Sequence, residues 1–128
     1  NWYENTKANV PAHQDDERDM VAGLPIFSYT FLRKRDKEID PDKPPVPREF
    51  RIYNREPKGP TKGTKGEKVA SVWLNQGDLL IMAGAMQTHF YHEVPKTTDK
   101  RYDNTQRINM TVRAFTDAAV GAVSQAEP

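Results

Sequence analysis

The sequence contains no cysteine, which excludes a disulfide framework and a thiolate metal site and permits an intracellular compartment. It has no apolar run near the roughly 20 residues that cross a membrane as a helix. No charged segment followed by an apolar stretch marks a secretory signal. Net charge is nearly absent, because 19 basic and 18 acidic side chains leave +1, so any electrostatic surface must come from local clustering. The chain also lacks an initiator methionine, opens on Asn1-Trp2-Tyr3, and reads as an N-terminally truncated piece. Hydrophobic residues make up only 36% of the 128, enough for one domain with one core.

Those hydrophobic residues come in short bursts between polar loops, which suits a small β-rich domain better than a helical bundle. Residues 1–13 read as an extended segment running into an acidic, turn-prone stretch after His13. Strands are expected at 26–33, 50–53, 69–74, 78–83, 88–94 and 107–115, where β-branched and aromatic residues gather. Between them, residues 33–48, 56–67 and 97–105 are charged and rich in proline, glycine or threonine, and read as irregular loops. Short strands without a βαβ rhythm predict an all-β core, mostly antiparallel, folded as a double-sheet jelly roll (a double-stranded β-helix) with long irregular loops. The core is expected over 1–116, with 117–128 as an Ala-rich tail.

Three features far apart in the chain suggest one site. His13-x-Asp15 offers an imidazole and a carboxylate where a strand opens into a loop, and His92 lies on a later expected strand. Together they make a two-histidine, one-carboxylate facial set, which suits non-haem iron(II) and leaves positions open for co-substrate and oxygen. A structural zinc site is the less natural reading, since it normally wants four protein ligands, often thiolates. The third feature is Arg107-Ile108-Asn109-Met110-Thr111-Val112-Arg113. At period two, Arg107, Asn109, Thr111 and Arg113 share one strand face. Burying two guanidiniums there is costly unless an anion sits against them, and a dicarboxylic acid suits their forked donors. Each feature alone is a common surface pattern; their conjunction points to a site.

With these residues in order, the sequence resembles the AlkB family of iron(II)- and 2-oxoglutarate-dependent dioxygenases. Asn1-x-Tyr3, His13-x-Asp15, His92 and Arg107-x-Asn109-x-Thr111-x-Arg113 carry the resemblance, helped by Pro25-Ile26-Phe27-Ser28, the Gly77-Asp78-led strand and the Phe90-Tyr91 pair. It covers roughly residues 1–33 and 67–115 and is nearest to the eukaryotic homologue that repairs double-stranded DNA, through Asp15-Asp16-Glu17-Arg18 and the Thr88-to-His92 stretch. It implies iron ligation by His13, Asp15 and His92, and 2-oxoglutarate bound by Asn1 and Tyr3. Arg107 would pair with the distal carboxylate of the co-substrate, with Asn109 and Arg113 near its keto-acid end, and Asp16 and Glu17 would position the target base. The implied reaction uses oxygen and turns 2-oxoglutarate into succinate while an N-alkyl group on a base of DNA or RNA is removed. The implied enzyme is a monomer without a membrane association, in the nucleus or cytoplasm. Two departures stand out: the family's nucleotide-recognition lid precedes the Asn-x-Tyr motif, on which this sequence starts, and the 33–48 insertion is longer than expected.

The 55–68 stretch sets Arg55, Lys58, Lys62, Lys65 and Lys68 against Glu56 and Glu67. Lysines spaced among glycines can follow a phosphate backbone without reading sequence, although the same composition also makes an ordinary solvated loop. Two other functions fit parts of the pattern: a 2-oxoglutarate oxygenase acting on protein or a small molecule, and a catalytically silent AlkB-like domain within a larger assembly.

Overall fold

The computed structural model describes residues 1–4, 7–34, 46–58, 62–98 and 105–116. Eight strands and one short helix follow in the order β1 (Trp2–Tyr3), β2 (Val10–His13), β3 (Ile26–Lys34), β4 (Arg48–Lys58), β5 (Lys62–Leu74), β6 (Leu79–Met82), α1 (Met86–His89), β7 (Phe90–Val94) and β8 (Thr105–Val112). They form two four-stranded sheets, β1-β8-β3-β6 and β2-β7-β4-β5, and every strand pair is antiparallel. The chain passes from one sheet to the other at almost every connection, which is the double-stranded β-helix expected from the short strands and absent helices. No described helix is long and apolar enough to cross a membrane.

Alternation decides what lies between the sheets. On β3, Ile26, Ser28, Thr30 and Leu32 point inward and are buried, whereas Phe31 and Arg33 are exposed. A small apolar cluster of Tyr3, Ile26, Phe50, Leu74, Met82 and Val94 joins the two inner faces. Beside it, Asp15, Arg48, His92 and Arg107 are buried as well, so the interior is apolar in part and ionisable in part.

Three expectations are corrected. Residues 56–58 and 62–67 are not irregular loop: β4 and β5 pair along them, with Arg55 opposite Lys65, Glu56 opposite Thr64 and Lys58 opposite Lys62, and residues 59–61 lie outside the described residues. Pairing along an already formed partner strand overrides weak local propensity, and lysines are well tolerated on an edge strand such as β5. Gly66 serves the close approach, because a Cβ there would fall 2.7 Å from Glu56 Cγ. Residues 88–94 are not strand throughout. Gly84, at φ +60°, turns the chain into the single helical turn of α1, and the strand starts only at Phe90. Finally, β8 ends at Val112 rather than 115, and Phe115 keeps only an isolated bridge to Met20. Residues 35–45 of the expected insertion, 99–104 of the loop after β7, and the 117–128 tail lie outside the described residues.

Candidate active site

Strand pairing brings the two histidines together. β2 and β7 are antiparallel neighbours with His13 directly opposite His92, and their ring centroids are 4.3 Å apart. Two residues beyond β2 the chain folds back over this pair. Asp15 Oδ1 is 3.6 Å from His13 Nε2, and Asp15 Oδ2 is 3.8 Å from His92 Nε2. One ligand-type atom from each of the three lies within 4.8 Å of the others, the one such group among the described residues. An ion with ligand bonds of about 2.0–2.2 Å could be reached by all three with small adjustments.

The protonation states suit a cation. His13 Nδ1–H donates to the Pro11 carbonyl at 2.8 Å, which turns Nε2 toward Asp15 and fixes the ring in the manner of a metal-binding histidine. The hydrogen bond that the His13 ring donates to the Asp15 carboxylate raises the pKa of His13 despite burial; a metal ion would displace that shared proton. Burial alone would raise the Asp15 carboxyl, but the hydrogen bond to His13 and the Arg113 guanidinium outweigh it and bring it down to about 2. Arg113 Nη2 donates to Asp15 Oδ1 at 3.0 Å. His92 stacks on Phe50, with centroids 5.3 Å apart. Burial, reinforced by the charge of His13, pushes its pKa down to about 4, so its ring is neutral and has a lone pair to offer.

The row that runs along β8 and one residue past its end faces as alternation requires. Arg107 is buried and Asn109, Thr111 and Arg113 are half-buried, while Ile108, Met110 and Val112 point to the opposite, exposed side. Arg107 Nη2 donates to Thr30 Oγ1 and Asn109 Oδ1, both at 3.3 Å. Its Nε and Nη1 are buried without a hydrogen-bond partner, and among the described residues no carboxylate pairs with it. Its guanidinium lies 4.8 Å from the centre of the Tyr3 ring. Burial lowers the pKa of Arg107 and raises that of Tyr3, the latter partly offset by Arg107 itself. A buried guanidinium with two idle nitrogens calls for an anion. Asn109 Oδ1 accepts from the Ser28 hydroxyl at 2.7 Å, and its amide donates to Thr111 at 2.8 Å. β1 is zipped to β8 with Tyr3 opposite Arg107, and the backbone nitrogen of Asn1 donates to the Asn109 carbonyl at 2.8 Å.

Asn1, Tyr3, His13, Asp15, His92, Arg107, Asn109 and Arg113 all line one pocket between the sheets. Asp16 and Glu17 are exposed and stand at a second cavity of about 230 Å³, which borders the first at Asp15 and has Gln87 in its wall. The basic residues are less uniform. Lys65 forms an ion pair with Glu93 at 3.0 Å and lies 3.9 Å over the Tyr53 ring, and Arg55 leans toward the Thr88 carbonyl at 3.4 Å. Lys68 is exposed; the side chains of Lys58 and Lys62 lie outside the described residues.

Several site neighbours escaped the sequence reading. Ser28 and Thr30 could have been found from the period of β3, which places them on the face that buries Ile26 and Leu32. On the face of β7 opposite His92, outside the pocket, Glu93 is bound by the Tyr53 hydroxyl at 2.6 Å and carried no such signal, because its partners come from β4 and β5. Gln87 sits on a helical turn where strand was expected.

The sequence profile of the 2OG-Fe(II) oxygenase superfamily matches residues 1–113. Over 113 residues the chain is 28% identical to the DNA oxidative demethylase ALKBH2 of Bos taurus. It is 34% identical to the alpha-ketoglutarate-dependent dioxygenase alkB homolog 3 of Rattus norvegicus and 35% identical to that of Homo sapiens. Each match takes in 88% of this chain and 33–34% of the relative, so the chain spans about a third of the length of the curated relatives it matches.

Proposed function

The chain belongs to the 2OG-Fe(II) oxygenase superfamily, and from that premise we propose that it is an AlkB-type enzyme that dealkylates N-alkylated bases of DNA or RNA. The overall change is balanced: 2-oxoglutarate, oxygen and an N-methyl base become succinate, carbon dioxide, formaldehyde and the free base. The observation that carries this reading is the single pocket in which the His13–Asp15–His92 cluster faces the buried, half-partnered Arg107.

In this reading His13, Asp15 and His92 hold iron(II), which when bound supplies the oxidising chemistry. The chain's own residues do the rest. Arg107 offers Nε and Nη1 to a carboxylate of 2-oxoglutarate, and the Tyr3 hydroxyl adds a donor on the same side. Asn109 braces Arg107 and, with Asn1 and Arg113, completes the co-substrate side of the pocket. Arg113 keeps Asp15 ionised. Asp16 and Glu17, at the adjoining cavity, favour a cationic N-alkylated base over its neutral counterpart by charge alone. The apolar walls formed by Phe50, Met82 and Val94 limit water at the reacting centre. Hydroxylation of the N-methyl carbon leaves a hemiaminal whose C–N bond breaks unaided. Lys58, Lys62 and Lys68 on the β4–β5 hairpin would contact nucleic-acid backbone, with Arg55 and Lys65 held nearer the protein. Residues 1–116 form the catalytic core, acting as a monomer inside the cell, in nucleus or cytoplasm, where its substrate is found.

The test is turnover with iron(II), 2-oxoglutarate and N-methylated single-stranded, duplex and RNA oligonucleotides. The reading expects succinate and formaldehyde in equal amounts and loss of one CH2 from the base. Succinate formed equally well with unmethylated oligonucleotides, or only with a peptide, would refute it.

A further inference from the structure

α1 leads without interruption into β7, which carries His92. From this turn Gln87 reaches back to the other metal-site segment, where its Oε1 accepts the backbone N–H of Asp15 at 2.8 Å across 72 positions of sequence. Its Nε2 donates to Met82 Sδ at 3.7 Å, at the end of β6 in the opposite sheet. One half-buried side chain therefore ties together the Asp15 loop, the segment leading to His92 and the core edge of the first sheet.

Asp15 needs such a tie. The β2–β7 register ends at His13, so the Asp15 amide has no strand partner, although the residue is only 6% exposed. Its carboxylate is held from the other end by Arg113 at 3.0 Å. That contact draws Oδ1 toward β8, while the two histidines need the same carboxylate on the β2–β7 side. We infer that Gln87 is a positioning residue for the metal centre: by fixing the peptide of Asp15 it opposes the pull of Arg113 and keeps the carboxylate oxygens turned toward the Nε2 atoms of His13 and His92. The inference rests on the reading of those three residues as metal ligands. A plain filler of the cavity wall would need Gln87 only for its bulk; a positioning residue needs its acceptor oxygen.

The two roles separate in the metal-free protein titrated with cobalt(II), followed by the visible absorption of the bound ion and accompanied by thermal melting of the apo form. Gln87→Met keeps the length of the side chain and loses the acceptor; it binds cobalt about 10- to 100-fold more weakly, with an altered absorption band and an apo melting temperature lowered only by the Asp15 amide it leaves unpaired. Gln87→Asn is too short to reach Asp15 and shows the same loss, so the question does not depend on one variant folding. Gln87→Glu keeps an acceptor at the same distance and returns affinity and band toward wild type. Wild-type cobalt affinity in both the Met and Asn variants, or a Glu variant as impaired as Met, overturns the positioning role and leaves the ligand set standing. A wild-type protein that takes up no cobalt(II), iron(II) or manganese(II) overturns the ligand set and this inference with it.

Discussion

Replacing Arg107 by methionine should abolish co-substrate binding without weakening the fold. In the free protein this guanidinium is 3% exposed, its two hydrogen bonds are long at 3.3 Å, and Nε and Nη1 have no partner. A buried donor left unsatisfied costs about 1–3 kcal/mol, and each of the two bonds made contributes only about 0.5–1.5 kcal/mol. Methionine keeps an unbranched apolar stem to pack against Tyr3 and removes both idle donors. Asn109 Oδ1 keeps the Ser28 hydroxyl at 2.7 Å, so only Thr30 loses its arginine contact. The balance runs from neutral to roughly 2 kcal/mol in favour of the variant. Binding moves the other way. Breaking a buried ion pair from one side costs about 3–5 kcal/mol, which is roughly a 10²- to 10⁴-fold loss of affinity for 2-oxoglutarate. Calorimetric titration of 2-oxoglutarate into manganese-loaded protein, together with melting curves with and without co-substrate, reads both effects. Wild type should melt higher when 2-oxoglutarate is added, by about 2.7 kcal/mol of stabilisation at a hundredfold excess over Kd, and the variant should not respond. An Arg107→Met protein that binds 2-oxoglutarate like wild type, or whose apo form is destabilised by several kcal/mol, would show that the idle nitrogens are not waiting for an anion.

Asp15→Ala should remove metal binding and also destabilise the apo protein by about 3 kcal/mol, because Arg113 is left partly buried without its carboxylate; denaturant unfolding without metal reads the second effect. Stripping metal with a chelator should lower the melting temperature of wild type and leave Asp15→Ala unchanged, as expected when only the native state binds the ion. Tyr53→Phe should cost about 1.5–3 kcal/mol, since its hydroxyl donates at 2.6 Å to Oε1 of the buried Glu93, a carboxylate that Lys65 also pairs with; equal stability by denaturant midpoint would refute it. Replacing Lys58, Lys62 and Lys68 together by serine should flatten the salt dependence of nucleic-acid affinity by up to about three phosphate contacts. Lys65→Ser should leave that slope alone and loosen the hairpin instead, because Lys65 is paired with Glu93.

What could be read ahead of the structure was whatever local alternation carries. The inward row of β8 follows from period two at Arg107, Asn109, Thr111 and Arg113, and His13-x-Asp15 falls where β2 gives way to loop. The meeting of His13 with His92 is a fact of register between strands 79 positions apart in the chain, and no local pattern encodes register; it could be guessed only because the conjunction of motifs made sense as one site. The same limit explains the misread hairpin. Lysine, glycine and threonine between 62 and 68 look like loop because their strand state depends on hydrogen bonds to β4, not on their own preferences. Gln87 lies beyond that limit too, since its partner is a single amide 72 residues away and the turn that aims it depends on Gly84.

The amphipathic sense of β8 is inverted relative to an ordinary surface strand, and this ties fold to function. Arg107, Asn109, Thr111 and Arg113 face the interior, while Ile108, Met110 and Val112 stand about half exposed on the outer face, with Trp2, Phe31 and Ile81 exposed on the same sheet. A strand optimised for stability would place these sets the other way round, since charged groups resist burial and apolar groups favour it. The inversion is tolerable where the buried charges meet counter-charges: Asp15 answers Arg113 within the protein, and on the proposed reading a carboxylate of the co-substrate would answer the idle nitrogens of Arg107. Among the described residues the apolar cluster between the sheets has six buried members. Metal and co-substrate should each raise resistance to unfolding, as expected when only the native state binds them, and by more together than either does alone if they share the His13–Asp15–His92 face.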